Sequence, residues 1–287
     1  MKHDMSLNRR TRHRLVRGSV LAAVAVGSLV VPGRTASAGG FVAAQASTPP
    51  AVTTPTATTP TATTPTATAP TATTPTLPTG IVSQGNVAAV TIVAAAKTAL
   101  TPAYDSATAK KPFVTFNNKT NFSGRHVFVV LAQQGDSFKV LLPMRPNGRT
   151  GFVKAKDVNL YQHDYAAVIS LSGKSLTLYK AGREVLKDTV AVGSAKHPTP
   201  TGSFFMRELA RPRNPGGAYG PWAFGLSGYS NVLQTFGRGD GQIGIHGTNQ
   251  PKLLGQGVSH GCIRMRNASI TKLAKMLPQG VPVEIVA

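Results

Sequence analysis

From Thr53 the chain repeats Thr-Thr-Pro-Thr-Ala three times, then continues as Thr68-Ala-Pro-Thr-Ala72 and Thr73-Thr-Pro-Thr-Leu77. A packed core cannot be built from such a segment. Proline at every fifth position removes backbone donors and favours extended, polyproline-like conformations. Residues 39–80 also contain no charged side chain. The stretch is therefore read as a disordered Thr/Pro-rich linker, a semi-rigid spacer with a reach on the order of 100 Å and a candidate for O-glycosylation. Whatever folds lies beyond it.

The residues before the linker have a different logic. Lys2, Arg9, Arg10, Arg12, Arg14 and Arg17 precede an uncharged, mostly apolar run from Gly18 to Val31, and Ala36-Ser37-Ala38 follows. Basic region, apolar core and small-residue site in that order predict a secretory signal over 1–38, cut after Ala38. Fourteen residues fall short of the roughly 20 that span a bilayer as a helix, so an uncleaved membrane anchor is the lesser alternative. The Arg9-Arg10 pair suggests twin-arginine export, with little around it in support. The expected location is exported: cell wall or periplasm.

Export changes how charge and cysteine are read. The formal charge is +21; seven of the 31 basic and one of the ten acidic residues lie in 1–38, leaving 24 against 9, or +15. That balance favours anionic surroundings, among them acidic wall polymers and carboxylate-bearing substrates, or serves solubility alone. Few aromatics and no recognisable nucleic-acid module argue against nucleic acid as a partner. Structural cysteines of exported domains come in pairs, yet Cys262 is the single cysteine of the sequence. A lone exported thiol is a buried passenger, an intermolecular link or a reactive group.

Residues 81–163 read as a small β domain. Short β-prone segments run over Asn86–Val93, Pro112–Phe116, His126–Leu131, Phe138–Leu142 and Thr150–Val153, with turn formers at Gly135-Asp136 and Pro146-Asn147-Gly148. Ser137-Phe-Lys-Val-Leu-Leu142 and Gly151-Phe-Val-Lys-Ala-Lys-Asp157 resemble the closing strands of bacterial SH3-like modules. The resemblance implies a small SH3-like β-barrel that binds the wall or spaces the next domain.

Residues 164–287 begin with an antiparallel meander: Ala166–Ser170, Ser175–Tyr179 and Arg183–Val192, joined at Ser172-Gly173 and Ala181-Gly182. One helix is signalled, with Asn267 as cap, Ile270, Leu273, Ala274 and Leu277 on one face, and Pro278 as the stop. A last strand covers Val281–Val286. The expected fold class is mainly β with one short helix.

Chemistry is concentrated in Ile243-Gly-Ile-His-Gly-Thr248 and Ser259-His-Gly-Cys-Ile-Arg-Met265. A thiol is mostly protonated at neutral pH, so acyl transfer by Cys262 needs a base or a cationic neighbour. His246 and His260 are the candidates. His260 is two residues before Cys262, which on an extended chain places both on one face. Gly261 lets amides converge on an oxyanion, Gly247 permits a sharp turn, and Arg264 offers charge for a substrate carboxylate. The rival reading of His246, His260 and Cys262 as zinc ligands lacks any Cys-x-x-Cys or His-Glu-x-x-His pattern, so no metal or other cofactor is expected. A buried thiol beside two surface histidines is the blandest alternative.

His246 with Ser259-His-Gly-Cys-Ile-Arg264 resembles the signature of the YkuD-type L,D-transpeptidases, and His197-Pro-Thr-Pro-Thr-Gly-Ser-Phe204 is similar to their upstream element. The resemblance implies an L,D-transpeptidase-type β-sandwich in which Cys262 is acylated, His246 is the base held by a backbone carbonyl such as that of Gly247, and His260 supports the site. Gly261, Gly247, Ser259 and Arg264 are the implied substrate or oxyanion contacts. The implied partners are peptidoglycan stem peptides, and the implied product is a 3→3 cross-link formed through a thioester with release of D-Ala. Carbapenems are the implied covalent inhibitors. An L,D-carboxypeptidase, a protein-to-wall attachment enzyme and a catalytically silent wall-binding protein are the alternatives. Activity is expected to fall on the acid side as the His–Cys pair is protonated. Trp222, Tyr229 and Phe236 lie in the glycine-rich region Gly216–Gly241, which is either a lid or ordinary loop packing; His197 reads as a surface residue.

Overall fold

The computed structural model describes residues 90–117, 125–236 and 239–287. The signal at 1–38, the linker at 39–80 and the start of the strand expected from Asn86 lie outside the described residues.

The amino-terminal module is built from β1 (Thr91–Ala96), β2 (Leu100–Ala103), β3 (Val114–Asn117), β4 (Val127–Gln134), β5 (Ser137–Leu141), β6 (Thr150–Lys154) and β7 (Val158–His163). Five of them form one sheet in the order β6-β5-β4-β1-β7, antiparallel at every pair, while β2 and β3 make a separate hairpin. Phe128, Phe138, Val140, Leu142 and Val153 fill its interior. The sequence shows β4, β5 and β6 to within three residues at their ends because each is a short β-prone run next to turn formers. It misses β7, where only Val158 is buried, and β2, where Pro102 argues against a strand.

The carboxy-terminal domain contains β8 (Tyr165–Ser170), β9 (Ser175–Lys180), β10 (Arg183–Thr189), β11 (Val192–Gly193), β12 (Gly202–Ala210), β13 (Ala223–Tyr229), β14 (Gln242–His246), β15 (Gly257–Ser259), β16 (Ile263–Arg264), α1 (Asn267–Met276) and β17 (Pro282–Val286). Its main sheet has eight strands in the order β10-β9-β8-β17-β12-β13-β14-β16. Strands β17 and β8 are parallel, as are β14 and β16, and α1 leads from β16 to β17. Leu176 and Leu178 of β9, Ile245 of β14, Ile263 of β16 and Ile270 and Leu273 of α1 share one apolar cluster. Strands far apart in the sheet order thus meet in one core, so the sheet bends over its contents.

Two local expectations are corrected. The third meander strand does not continue to Val192. It stops at Thr189, where the buried Asp188 accepts the Thr189 amide at 2.8 Å and pairs with Arg266. The chain then turns so that Ala191 bridges Arg264 and β11 pairs with β15. Asn267 does not cap α1: the cap position is Arg266, and the Asn267 side chain accepts the amide of Thr248 at 2.8 Å.

Successive residues of a strand face opposite sides, and β12 uses both. Phe204 enters the carboxy-terminal core, while Phe205 enters a second cluster with Val93, Val127, Val129 and Leu141 of the smaller sheet. A continuous Phe-Phe-Met run is what a strand covered on both faces requires. Phe205 is fully buried, so Phe205→Ala is expected to cost about 3–5 kcal/mol, read as a lowered urea midpoint with an unchanged slope. A midpoint equal to that of the parent chain would show that the two modules do not depend on this contact.

Candidate active site

The site forms where β14 and β16 run side by side. Their register pairs Ile245 with Ile263 and His246 with Arg264. Ile243, Ile245, Ile263 and Met265 all belong to the core. Alternation therefore sends Gly244, His246, Cys262 and Arg264 to the opposite face. Cys262 comes opposite Gly244, whose backbone hydrogen-bonds to it.

His246 is buried and held from several sides. Its Nδ1–H donates to the Gly247 carbonyl at 2.6 Å, which makes Nε2 the acceptor nitrogen, and its own carbonyl accepts the Met265 amide at 2.9 Å. The ring of Tyr219 lies 4.7 Å from the imidazole. The Gly247 amide donates to the Trp222 carbonyl at 3.2 Å. A Cβ on Gly247 would stand 2.3 Å from Asn267 Oδ1 and 3.0 Å from Gly220 Cα. Only glycine lets the chain pass between these two supports.

The turn that carries the thiol is braced by two hydroxyls. Ser259 is buried; its Oγ donates to the Cys262 carbonyl at 2.6 Å and accepts the Gly261 amide at 3.1 Å. Thr199 Oγ1 donates to the Gly261 carbonyl at 2.9 Å and accepts the Gly193 amide at 2.8 Å. Gly261 itself has φ of +115°, a conformation that side chains other than glycine's rarely adopt.

Electrostatics set the resting state. Burial lowers the His246 pKa to about 4, with the Gly247 carbonyl pulling upward and Arg264 pushing further down. Burial raises the Cys262 thiol, opposed by the Gly244 backbone and by Arg264. Near neutral pH both groups are therefore uncharged, so a proton must move during the reaction rather than before it. Arg264, whose Nη1 donates to Gln250 Oε1 at 3.3 Å, acts on both groups in the direction that favours a neutral base and an ionised sulfur.

The family model for the L,D-transpeptidase catalytic domain, YkuD, matches residues 164–285. The YkuD protein of Bacillus subtilis strain 168 is 34% identical over 155 residues, covering 52% of this chain and 86% of that protein. The chain belongs to the YkuD family. The YkuD protein of Bacillus licheniformis is 38% identical over 121 residues, covering 42% of this chain and 65% of the relative. A solved structure, the L,D-transpeptidase from Mycobacterium smegmatis, aligns at 14% identity over 56% of this chain and 91% of its own, with a TM-score of 0.37, a likeness too distant to add to the assignment.

Within this YkuD domain the structure sorts the expected residues. His246, Cys262 and Arg264 share one face of adjoining strands. Between His260 and Cys262 the left-handed turn at Gly261 interrupts the extended geometry that would align them. His260 is exposed, with its ring 4.8 Å from that of His197 and 5.2 Å from that of Phe236. His197 is half-buried rather than a plain surface residue. The Gly261 amide, expected at the oxyanion, is committed to Ser259 Oγ, and Ser259 is an internal brace. Gly247 supplies a carbonyl and a close approach. Among the described residues no group of three His, Cys, Asp or Glu side chains is placed to hold a metal ion.

Of the aromatic trio, Tyr229 is buried and donates its hydroxyl to the Pro143 carbonyl at 3.1 Å, so it is packing. Trp222 lies under Arg211 and meets Gly247 through its carbonyl, and Phe236 sets its ring beside that of His260. Tyr219, Thr199 and the Asn267 side chain were missed. Thr199 had a signal, since it sits inside the quoted Pro-Thr-Pro-Thr element; no spacing connects Tyr219 or Asn267 to His246.

Proposed function

We propose that the chain is a peptidoglycan L,D-transpeptidase that works through a Cys262 thioester. The observation that carries this reading is the shared face of His246 and Cys262, with His246 Nδ1–H tied to the Gly247 carbonyl so that Nε2 is left as the base. A backbone carbonyl thus does for this imidazole what a carboxylate does in serine proteases: it holds the tautomer and the ring.

Nε2 of His246 takes the thiol proton as Sγ attacks the carbonyl of the third, L-centre residue of a tetrapeptide stem. The Cys262 amide is the proposed oxyanion donor, since that of Gly261 is already engaged. Collapse breaks the bond to the terminal D-Ala, whose amine leaves with the proton from Nε2. The side-chain amine of a second stem then attacks the thioester and gives up a proton to His246, and the sulfur leaves to recover it. The result is a 3→3 cross-link. Water as acceptor would make the same site an L,D-carboxypeptidase, and a protein amine would make it a wall-attachment enzyme. Carbapenems are proposed to acylate the same sulfur. His260, beside His197 and Phe236, is proposed to line the entrance.

We also propose export through residues 1–38, a tether over 39–80, and an SH3-like, wall-binding role for the amino-terminal module. The antiparallel order β6-β5-β4-β1-β7 and the short 3-10 turn at Ala155–Asp157 support a small-barrel reading. Positive charge supports anionic wall polymers as partners.

Incubation of the full chain with purified sacculi, followed by muropeptide analysis, is expected to give free D-Ala and 3→3 dimers. Intact-mass analysis after carbapenem treatment is expected to show one adduct, mapped to the Cys262 peptide. D-Ala release without dimers would assign the carboxypeptidase reaction instead, and an adduct on any other residue would remove the nucleophile assignment.

A further inference from the structure

The loop that brings Phe236 to His260 is held from the other module. It leaves β13 at Tyr229 and returns at Gln242 into β14, the strand that ends in His246. Its closing contact is a hydrogen bond from the Ser230 amide to the Gly241 carbonyl at 2.8 Å. Around that closure two side chains of the β5–β6 turn reach across. Arg145 Nη1 donates to the Asp240 carbonyl at 2.9 Å, and Nη2 donates to the carbonyls of Ser230 at 3.1 Å and Leu233 at 3.0 Å. Its guanidinium carbon lies 4.7 Å above the Tyr229 ring. Asn147 Nδ2 donates to the Tyr229 carbonyl at 2.7 Å, and its Oδ1 accepts the Tyr229 amide at 2.9 Å, as a neighbouring strand would.

These contacts have two properties that matter. The hydrogen bonds to Asp240, Ser230, Leu233 and Tyr229 all end on main chain, so they fix the path of the backbone there; beside them Asn147 Nδ2 also donates to Asn231 Oδ1 at 3.2 Å. The three from Arg145 are charge-assisted and come from one rigid plane, which a flexible ammonium cannot reproduce. Inside the loop, Ser230 Oγ accepts the amides of Val232 and Leu233 at 3.3 and 3.0 Å, and Phe236 and Gly239 exchange hydrogen bonds at 3.1 and 3.0 Å. The base is thus held by the other module, while Phe236, exposed, stands against the His260 ring.

We propose that Arg145 and Asn147 of the amino-terminal module are positioning residues for the transpeptidase site, holding the Tyr229–Gly241 loop so that Phe236 and His260 form one wall of the substrate entrance. The module then does more than space or anchor the enzyme: it completes the enzyme's binding surface. The wall lies beside the Cys262 turn and takes no part in proton transfer, so its loss acts on substrate capture before chemistry. This inference rests on the transpeptidase reading only for its kinetic half.

The test uses the full chain with Arg145→Ala, Arg145→Lys, Asn147→Ala and Phe236→Ala. Hydrogen-exchange mass spectrometry is read on peptides covering 230–241, and kcat and KM are read on a synthetic tetrapeptide stem with a diamino-acid acceptor. Alkylation of Cys262 by iodoacetamide, a probe too small to need the wall, is the third readout. The expected result is faster exchange in the loop for Arg145→Ala and Asn147→Ala, a several-fold rise in KM with kcat and alkylation rate near those of the parent, and only partial rescue by Arg145→Lys. Phe236→Ala should raise KM alike, and Arg145→Ala combined with it should raise KM no further. Unchanged exchange in Arg145→Ala would show that the loop does not need the clamp. Faster exchange with KM unchanged would show that the clamp holds the loop without serving the site. Exchange does not depend on turnover, so an inactive parent enzyme would count against the transpeptidase reading and leave the clamp itself measurable.

Discussion

Cys262→Ala is expected to lose turnover by about 10⁴-fold or more, with no thioester trapped from any stem peptide and no carbapenem adduct by intact mass. The size follows from what is removed. Alanine cannot form the covalent intermediate, and no other cysteine exists in the chain to replace it. Cys262→Ser is the sharper comparison, because it keeps a proton donor at this position while exchanging a good nucleophile for a poor one. It should accumulate little or no acyl-enzyme. The hydrogen bond to the Ser259 brace uses the Cys262 backbone carbonyl and is kept in either variant, so both should fold, with Cys262→Ala losing the contact of the thiol with the Gly244 backbone. Residual turnover of Cys262→Ala within tenfold of the parent would end the nucleophile assignment, whatever the fold resembles.

His246→Gln is expected to lower kcat by about 10²–10⁴-fold, and the pH dependence of the parent enzyme should carry the mark of its burial. The sign runs one way. An imidazole with its pKa near 4 is neutral, and so able to accept the thiol proton, at every pH above that value. The acid limb of kcat/KM should therefore lie near 4 rather than at the ordinary histidine value of about 6.5. Arg264→Gln removes a charge that holds this pKa down, so the limb should move to higher pH in that variant. The same displacement acts on folding. Between about 6.5 and 4 the unfolded chain binds a proton at His246 that the folded chain refuses, so stability is lost as pH falls through that window, by on the order of 3 kcal/mol from this group alone. His126 and His163, whose pKa values are also lowered by burial, add in the same direction. Circular dichroism over the same pH range separates unfolding from titration of the active site. A limb near 6.5 in a chain still folded there would place the base outside the buried imidazole.

The chemistry of this protein was more legible in its sequence than its architecture was. His246, Cys262 and the surrounding glycines were named from residue type and spacing, because a thiol nucleophile needs a base and backbone room, and those needs are short-range. The pattern of short β-prone runs bounded by turn formers similarly marked β4, β5, β8 and β9. It failed at β12, whose Phe204 and Phe205 are both buried by different partners, and at β7, where the sheet neighbour rather than the apolar pattern decides the strand. It also aligned His260 with Cys262, since an extended chain is the natural assumption until a glycine is seen at φ of +115°.

By itself, then, the order of residues named the candidate reacting groups and determined that the described remainder is mainly β. Tertiary structure alone decided which histidine shares a strand face with Cys262, which hydroxyls brace the turn, and that Arg145 and Asn147, more than eighty positions from Tyr229, close on its loop. The physical reason is range. Propensity and alternation act over a few residues, whereas the parallel register of β14 and β16 and the meeting of the two modules are set by which distant surfaces can be buried together.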